Sequence, residues 1–214
     1  LKNIAIRINR EKSNAINVRS LATVIGENLI IENTVKKGEN YPIIFLEDKA
    51  CAKFSKIAVQ PSSLPAHRVY ADNATLEINA SVIYANVNLY NTKFKIENTT
   101  IEYRITNGMS IKEKSTGRMY NNLIRGGNVQ KNFPCVFIKE SEVSIESTTI
   151  VQPNYSSALC GVDSKINLLN IATSSAKFYD RASVSVDEHS IFEESVFVEG
   201  NSRFIGDVIS IFGR

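Results

Sequence analysis

The chain has 214 residues, of which 43% are hydrophobic and 22% are charged, with a formal net charge of +3. This length and apolar content predict one folded domain and argue against a disordered chain. The nearly balanced charge gives no indication that nucleic acid or a membrane is an obligatory partner, and no apolar run approaches the roughly 18 residues of a membrane-spanning helix.

The first predicted element is a strand in which Ile4, Ile6 and Ile8 alternate with polar residues. Two six-residue units follow, starting at Ile25 and Ile31. The opening residues contain no apolar core of a signal peptide. Because the chain starts at Leu1, we expect it to be a processed product or a part of a longer protein.

The six-residue register is lost between about residues 37 and 74. This stretch combines a turn at 36–40, a predicted strand at 42–46 and a proline-containing loop at 61–65. We interpret it as an insertion or as an irregular turn of the repeat.

Four consecutive units begin at Ile78, Tyr84, Tyr90 and Ile96. Simple β alternation also repeats every six residues, so the third position of each unit is the one that discriminates. Those positions hold mainly turn-forming or charged residues: Glu27, Asn33, Ala80, Asn86, Thr92, Asn98, Ser147, Pro153, Glu188, Glu194, Gly200 and Gly206. Each unit therefore predicts a short strand that contributes its first and fifth residues to an interior, followed by a bend, which is typical of a β-solenoid.

One hexamer occurs in three versions along the chain. It is IENTTI at Ile96–Ile101, IESTTI at Ile145–Ile150 and IENTV from Ile31. In a stacked repeat, like residues lie above one another, so we expect the three versions to occupy equivalent positions on different turns.

The stretch from about 103 to 134 is a second predicted insertion, and it is rich in basic and aromatic residues. A long connection of this kind is usually functional or disordered, and we expect it to protrude from a rigid stack and to contact an acidic partner. Single-stranded nucleic-acid platforms mix basic and aromatic residues in the same way, but a charged loop that keeps the insertion soluble is the favoured alternative. The candidate binding residues are Arg104, Lys112, Lys114, Arg118, Arg125 and Lys131.

The last predicted region, 180–210, is the most regular, with Val186, Phe192, Val198 and Phe204 at intervals of six. Its acidic residues fall mostly at outward positions. The chain then ends at Val208–Arg214 without a polar or helical cap. The last turn of the repeat would therefore expose apolar interior residues and unpaired backbone groups, so we expect another segment or subunit to cover it. A further domain, a second subunit stacked end to end, or the last residues themselves would supply this cover.

The three cysteines, Cys51, Cys135 and Cys160, are odd in number and widely spaced. They predict neither a disulfide framework nor a zinc site, and we expect buried thiols. Neither a cofactor nor a metal is expected from this pattern.

The units at Ile31–Lys36 and Val198–Arg203 resemble the hexapeptide repeat of left-handed β-helices, and similar faces occur in bactofilin-like, polymer-forming β-helices. The broken blocks with large insertions look more like right-handed, pectin-lyase-type helices, so handedness stays open. The resemblance implies an all-β fold, a single-stranded parallel β-helix over residues 1–214, with irregular insertions at about 37–74 and 103–134.

The enzymes that this fold resembles point to two kinds of catalytic residue. Hexapeptide acyltransferases use a histidine base, but His67 and His189 lie in a loop and at an outward position. Polysaccharide lyases and hydrolases of the β-helix class use clustered carboxylates, or calcium with an arginine base, for which Asp163, Asp180 and Asp187 are candidates. No paired Asp-Asp, Gly-His-Gly, Gly-x-Ser-x-Gly or phosphate-binding glycine motif occurs.

We therefore expect a non-catalytic binding or scaffold module of a bacterial surface, secreted or effector protein, with a role in virulence and with a protein or glycan as partner. A secreted, cell-surface or host-delivered location is favoured over the cytoplasm. One alternative is a polysaccharide lyase or hydrolase of the β-helix class. Another is a self-stacking structural protein.

Overall fold

The computed structural model describes residues 1–35, 41–62, 67–103, 107–126, 133–152 and 157–206. Within these residues every regular element is a β-strand, and no helix that could cross a membrane is found among them. The strands are β1 (Lys2–Ile8), β2 (Ile16–Val18), β3 (Thr23–Asn33), β4 (Ile44–Leu46), β5 (Cys51–Ser55), β6 (Ala58–Val59), β7 (Arg68–Asp72), β8 (Thr75–Asn79), β9 (Val82–Ile83), β10 (Asn86–Tyr90), β11 (Lys93–Glu97), β12 (Thr100–Glu102), β13 (Met109–Lys112), β14 (Thr116–Tyr120), β15 (Leu123–Arg125), β16 (Val136–Lys139), β17 (Glu142–Glu146), β18 (Thr149–Val151), β19 (Leu159–Val162), β20 (Lys165–Leu169), β21 (Ala172–Tyr179), β22 (Ser183–Val186), β23 (Ile191–Val198) and β24 (Arg203–Ile205).

All of the strand pairs are parallel, and each joins a strand to its counterpart one turn later in the chain. The strands thus form three faces of nine stacked levels, with long strands bending across two faces. Face 1 contains β2, β4, β7, β10, β13, β16, β19 and the C-terminal halves of β21 and β23; face 2 contains the N-terminal half of β3, then β5, β8, β11, β14, β17, β20, β22 and β24; face 3 contains β1, the C-terminal half of β3, β6, β9, β12, β15, β18 and the N-terminal halves of β21 and β23. This is the single-stranded parallel β-helix that the sequence predicted.

Each full-length strand points two alternate side chains into the interior. In β11, Phe94 and Ile96 are buried, whereas Lys93, Lys95 and Glu97 point outward. Because the register is kept from level to level, Ile96 lies above Ile78 and below Met119. The interior is therefore a set of aliphatic and aromatic columns, and burying each such side chain contributes about 1.5–3 kcal/mol.

Two of the three corners are short and turn in the left-handed region of backbone space. The corner between faces 2 and 3 has positive φ angles in eight successive levels, at Asn3, Asn28, Lys56, Ala80, Asn98, Asn121, Ser147 and Asn170. Asparagine tolerates this conformation and can bond to neighbouring polar groups. The side-chain amide of Asn121 donates to Asn98 Oδ1 at 2.8 Å, and that of Asn98 donates to Asn79 Oδ1 at 2.9 Å.

A polar residue is buried directly after several of these turns, and it satisfies the backbone of the level below. Asn122 Oδ1 accepts a hydrogen bond from the Thr99 backbone N–H at 3.0 Å, and its Nδ2 donates to Ile96 O at 3.0 Å. In the next level, Thr148 Oγ1 accepts from the Asn122 N–H at 3.3 Å. Ser115 and Thr92 form a similar contact at the corner between faces 1 and 2. Buried turns thereby avoid unpaired backbone groups.

The third corner, between faces 3 and 1, takes up nearly all of the variation in chain length between levels. The connection is absent where β21 and β23 run straight through, has two residues between β9 and β10, and has ten between β3 and β4. Connections at the other two corners have two to four residues, or none where β3 runs straight through. The stretches 37–74 and 103–134, predicted as irregular, contain β4 to β7 and β13 to β15, so their irregularity is confined mainly to this corner.

The six-residue pattern predicted the strands better than it predicted their orientation. Ile31, Ile78, Ile96, Ile145 and Phe192 are buried as expected. Ile25, Val151 and Val198 point outward and are exposed, and Tyr90 also points outward. Connections at the corner between faces 3 and 1 differ in length. A fixed six-residue period therefore does not stay aligned with the inward positions of the strands from one level to the next. Of the repeated hexamers, those at Ile96 and Ile145 share one column through Met119, whereas Ile31 lies on face 3. Val208–Arg214 lie outside the described residues.

The buried amide of Asn122 gives a test of this corner. Replacing it with alanine leaves the Thr99 N–H buried without a partner and removes the side-chain hydrogen bond to the Ile96 carbonyl, which is expected to lower the free energy of unfolding by about 2 kcal/mol. Asn167→Ala is the matched control, because Asn167 points outward on face 2 and should change stability by less than about 0.5 kcal/mol. Urea denaturation followed by circular dichroism compares the two, and equal midpoints would contradict the assigned role.

Candidate functional site

Face 1 carries a row of aromatic side chains on its outer surface. Phe45 of β4 is in register with Tyr70 of β7, one level further along the stack. Tyr90 of β10 lies on the following level, in register with Asp72. The rings of Phe45 and Tyr70 are stacked, with centroids 5.4 Å apart and planes 10° apart, and Tyr70 lies 5.4 Å from Tyr90. Stacking along the axis covers ring faces, so the edges of these rings point to solvent. A ring edge carries partial positive charge.

Cationic side chains extend the aromatic row at both ends and along its flank. The Arg19 guanidinium lies 5.0 Å from the Phe45 ring centre, and that of Arg68 lies 5.6 Å from Tyr70. Lys112 Nζ of β13 lies 5.7 Å from Tyr90 and 5.4 Å from Phe137 on β16. Each such cation–π contact contributes about 0.5–1 kcal/mol at an exposed site, and together they hold the positive groups in fixed positions.

An open depression of about 400 Å³ lies at the N-terminal end of this row. Tyr41, Phe45 and Tyr70 provide its aromatic walls, and Arg19, Arg68, Glu47 and Asp72 provide its charged groups, with Asn14 and Pro42 completing the lining. Asn14 Nδ2 donates to the Pro42 carbonyl, which connects the first level to the segment that carries Tyr41. Tyr41 is 45% exposed, so part of its ring is open to solvent.

The charges in this site are only partly compensated. Within the described part of face 1, the ion pairs are Arg19–Glu47 at 2.8 Å, Lys139–Glu140 at 3.4 Å and Lys177–Glu199 at 3.3 Å. Arg68 and Lys112 have no carboxylate partner among these residues. One carboxylate, Asp72, lies between them and accepts a long hydrogen bond of 3.4 Å from the Tyr70 hydroxyl. The centre of the row therefore contains two cations without an ion-pair partner, Arg68 and Lys112, and two carboxylates, Asp72 and Glu113, whose charges both act on Tyr90.

The tyrosine hydroxyls in the row remain protonated at neutral pH. Burial and the nearby Asp72 carboxylate raise the pKa of Tyr70, and burial raises the pKa of Tyr90. Both hydroxyls can therefore donate as well as accept hydrogen bonds. The site combines one partly exposed aromatic ring with fixed cations, amide groups and hydroxyls, which suits a ligand that is rich in oxygen atoms.

The basic residues predicted from the sequence lie on different sides of the stack. Lys112 is on face 1 and belongs to the aromatic row, whereas Lys114 lies at the corner between faces 1 and 2 with a positive φ of 65°. Arg118 points out from face 2, where it pairs with Glu146, and Arg125 is exposed on face 3. Arg104 and Lys131 lie outside the described residues. The four described residues therefore do not form one basic patch, and only Lys112 joins the site.

The predicted catalytic candidates are also dispersed. Asp163 and Asp180 are neighbours at the corner between faces 1 and 2, whereas Asp187 lies after β22 and accepts from the backbone N–H of Asn170 at 2.9 Å. His189 is exposed beside Glu188, at 3.7 Å. His67 is buried, its Nε2 donates to Gln60 O at 2.9 Å, and burial lowers its pKa. No group of three or more potential metal ligands occurs among the described residues.

The cysteines are free in the described structure. Cys135 and Cys160 are buried and Cys51 is partly exposed. Burial raises the pKa of the Cys135 and Cys160 thiols. Both are therefore thiols at neutral pH, as the sequence predicted for buried positions.

The aromatic row was missed in the sequence because its members have no constant spacing. Phe45, Tyr70 and Tyr90 are separated by 25 and then 20 residues, and two of them fall in a stretch interpreted as an insertion. A local signal was present: Phe45 and Tyr70 each stand between two small or aliphatic residues, as an outward residue on a buried strand does.

No protein-family model matches this chain, and searches of the curated proteins and of the solved structures found no significant match. The site must therefore be interpreted from its own residues.

A tyrosine titration checks the electrostatics of the row. Tyr70 is expected to ionise at a higher pH than the ordinary value near 10, because its phenolate would be partly buried and close to Asp72. The difference in phenolate absorbance between the wild type and Tyr70→Phe isolates this group. In Asp72→Asn, the Tyr70 transition should move to lower pH, since one negative neighbour is lost. An unchanged transition would show that Asp72 does not act on this hydroxyl.

Proposed function

We propose that this protein is a non-catalytic glycan-binding module and that face 1 binds an acidic polysaccharide lying along the stack. The observation that carries the proposal is the aromatic row Phe45–Tyr70–Tyr90, against which lie Arg68 and Lys112, two cations that have no carboxylate partner among the described residues. The levels repeat about every 4.8 Å, so the row offers an elongated ligand a regular series of contacts.

Each part of the site has a partner in such a ligand. The accessible ring of Tyr41 suits the apolar face of a sugar, and the amide and hydroxyl groups of Asn14 and Tyr70 suit its hydroxyl groups. Arg68 and Lys112 suit carboxylate or sulfate groups, since charge-assisted hydrogen bonds are about twice as strong as neutral ones. An open depression leaves both ends of a polymer free to extend.

Cleavage of the polysaccharide is the second candidate, because Glu47 and Asp72 lie in the same depression on neighbouring levels. Two carboxylates on either side of a bond are what glycoside hydrolysis requires. Glu47, however, already forms an ion pair with Arg19 at 2.8 Å. This pairing favours a role for Glu47 in positioning over one in proton transfer.

Affinity gel electrophoresis tests the proposal directly. Gels that contain polygalacturonate or alginate should retard the protein, those with neutral β-glucan or xylan should retard it less, and added salt should weaken the effect. Arg68→Gln should bind about tenfold more weakly, which is the loss of one charged hydrogen bond.

Arg118→Gln is the matched control, because Arg118 lies over Tyr120 on face 2, at 5.1 Å, as Arg68 lies over Tyr70. Its binding should equal that of the wild type. Absence of retardation by every polysaccharide would reject glycan binding. New reducing ends, or an unsaturated ultraviolet-absorbing product with or without calcium, would favour the enzyme instead.

A further inference from the structure

Face 3 carries a continuous column of uncharged side chains on its outer surface. The central outward position of its nine levels is occupied, in order, by Ala5, Ile30, Ala58, Val82, Thr100, Leu123, Thr149, Ala172 and Ile191. None of the nine is buried, and Ile30, Val82 and Ile191 are 37–46% exposed. The corresponding positions on face 2 include Lys53, Glu77, Lys95 and Arg118, and the corresponding column on face 1 includes Lys177, so face 3 alone has nine uncharged positions.

We propose that face 3 binds face 3 of a second copy of this chain, with the two stacks antiparallel and the two-fold axis at Thr100. Thr100 is the middle member of the column, with four levels on either side. A two-fold axis there places Ala5 opposite Ile191, Ile30 opposite Ala172, Ala58 opposite Thr149, and Val82 opposite Leu123. Three of these four pairs set a small side chain against a larger one, as close packing between two surfaces requires.

A parallel arrangement does not have this property. It would set Ile30 on Ile30 and Ala58 on Ala58, so that large side chains would collide while small ones would leave gaps. The charges beside the column agree with the antiparallel arrangement at its ends, because Arg7 and Glu193 occupy the same flanking position on the first and last levels. Each Arg7, which pairs with Glu32 of its own chain at 2.9 Å, would then also face Glu193 of the other copy. The two Glu102 side chains would approach each other near the axis, which limits the affinity.

The size of the surface indicates how tight the dimer is. Nine levels at about 4.8 Å give a column about 40 Å long, and about four residues of strand give a width of about 13 Å. This buries about 500 Å² on each copy, or about 1,000 Å² in total, which is the lower limit for a specific interface. The proposal therefore predicts a reversible dimer that forms in a concentration-dependent manner.

Sedimentation velocity of the 214-residue chain over a wide range of concentration tests the association. The wild type should change from monomer to dimer, and Thr100→Glu should weaken the dimer more than about 100-fold, because two glutamates would join the two Glu102 side chains at the axis. Ser144→Glu places the same charge on face 2 and should dimerise as the wild type does. A monomer at all concentrations, or equal behaviour of the two variants, would overturn the proposal.

A cross-linking pair tests the antiparallel register in folded protein. In a Cys51→Ser background, Thr100→Cys should give a dimer with a short bismaleimide, because the two sulfurs face each other. Thr149→Cys should not, since its counterpart lies four levels, or about 19 Å, away along the stack. Efficient cross-linking of Thr149→Cys with itself, or failure of Thr100→Cys, would reject this register. Circular dichroism confirms that each variant is folded.

Discussion

The constraint on which this structure depends is the hydrogen bonding between successive levels. Each strand is short, from two to eleven residues, and satisfies its backbone groups with the strands one turn before and one turn after it. Such pairing keeps the register from level to level, because a slip by one residue would turn every inward side chain outward. Residues such as Ile78, Ile96 and Met119 therefore form one column although they are 18 and 23 residues apart.

The same constraint separates the surface into three faces of different chemistry. Outward positions repeat one above another, so a residue type that recurs along the chain becomes a row on one face. Face 1 has stacked aromatic rings and cations, face 2 has ion pairs such as Lys53–Glu77 at 2.9 Å, and face 3 has the uncharged column. An elongated module with distinct faces can engage a polymer on one side and a second protein surface on another, which is the basis of the two proposals above.

Buried polar groups at the corners explain how the stack keeps its cross-section. The turn between faces 2 and 3 leaves backbone N–H groups that no strand pairs with. These groups donate hydrogen bonds to side chains of the next level, such as Asn122 and Thr148. At the corner between faces 3 and 1 the connections differ widely in length, and Asn14, Asn86 and Asn107 donate there to backbone carbonyls of the next level. The depression beside Tyr41 lies directly after one of these connections, so the variable corner and the proposed binding face adjoin each other.

The sequence by itself determined the fold class, because a turn-forming or charged residue at the third position of each six-residue unit distinguishes a stacked coil from plain β alternation. It also identified the hexamers at Ile96 and Ile145 as equivalent, but it was wrong to include the version at Ile31, which lies on another face. It placed the candidate site in a basic stretch, and of the described basic candidates in that stretch Lys112 alone lies on face 1. Only the tertiary structure decided which residues share a face, since each connection at the variable corner shifts the phase by a different number of residues. Phe45, Tyr70 and Tyr90 are neighbours because of hydrogen bonds between levels, and no fixed spacing along the chain encodes that relationship.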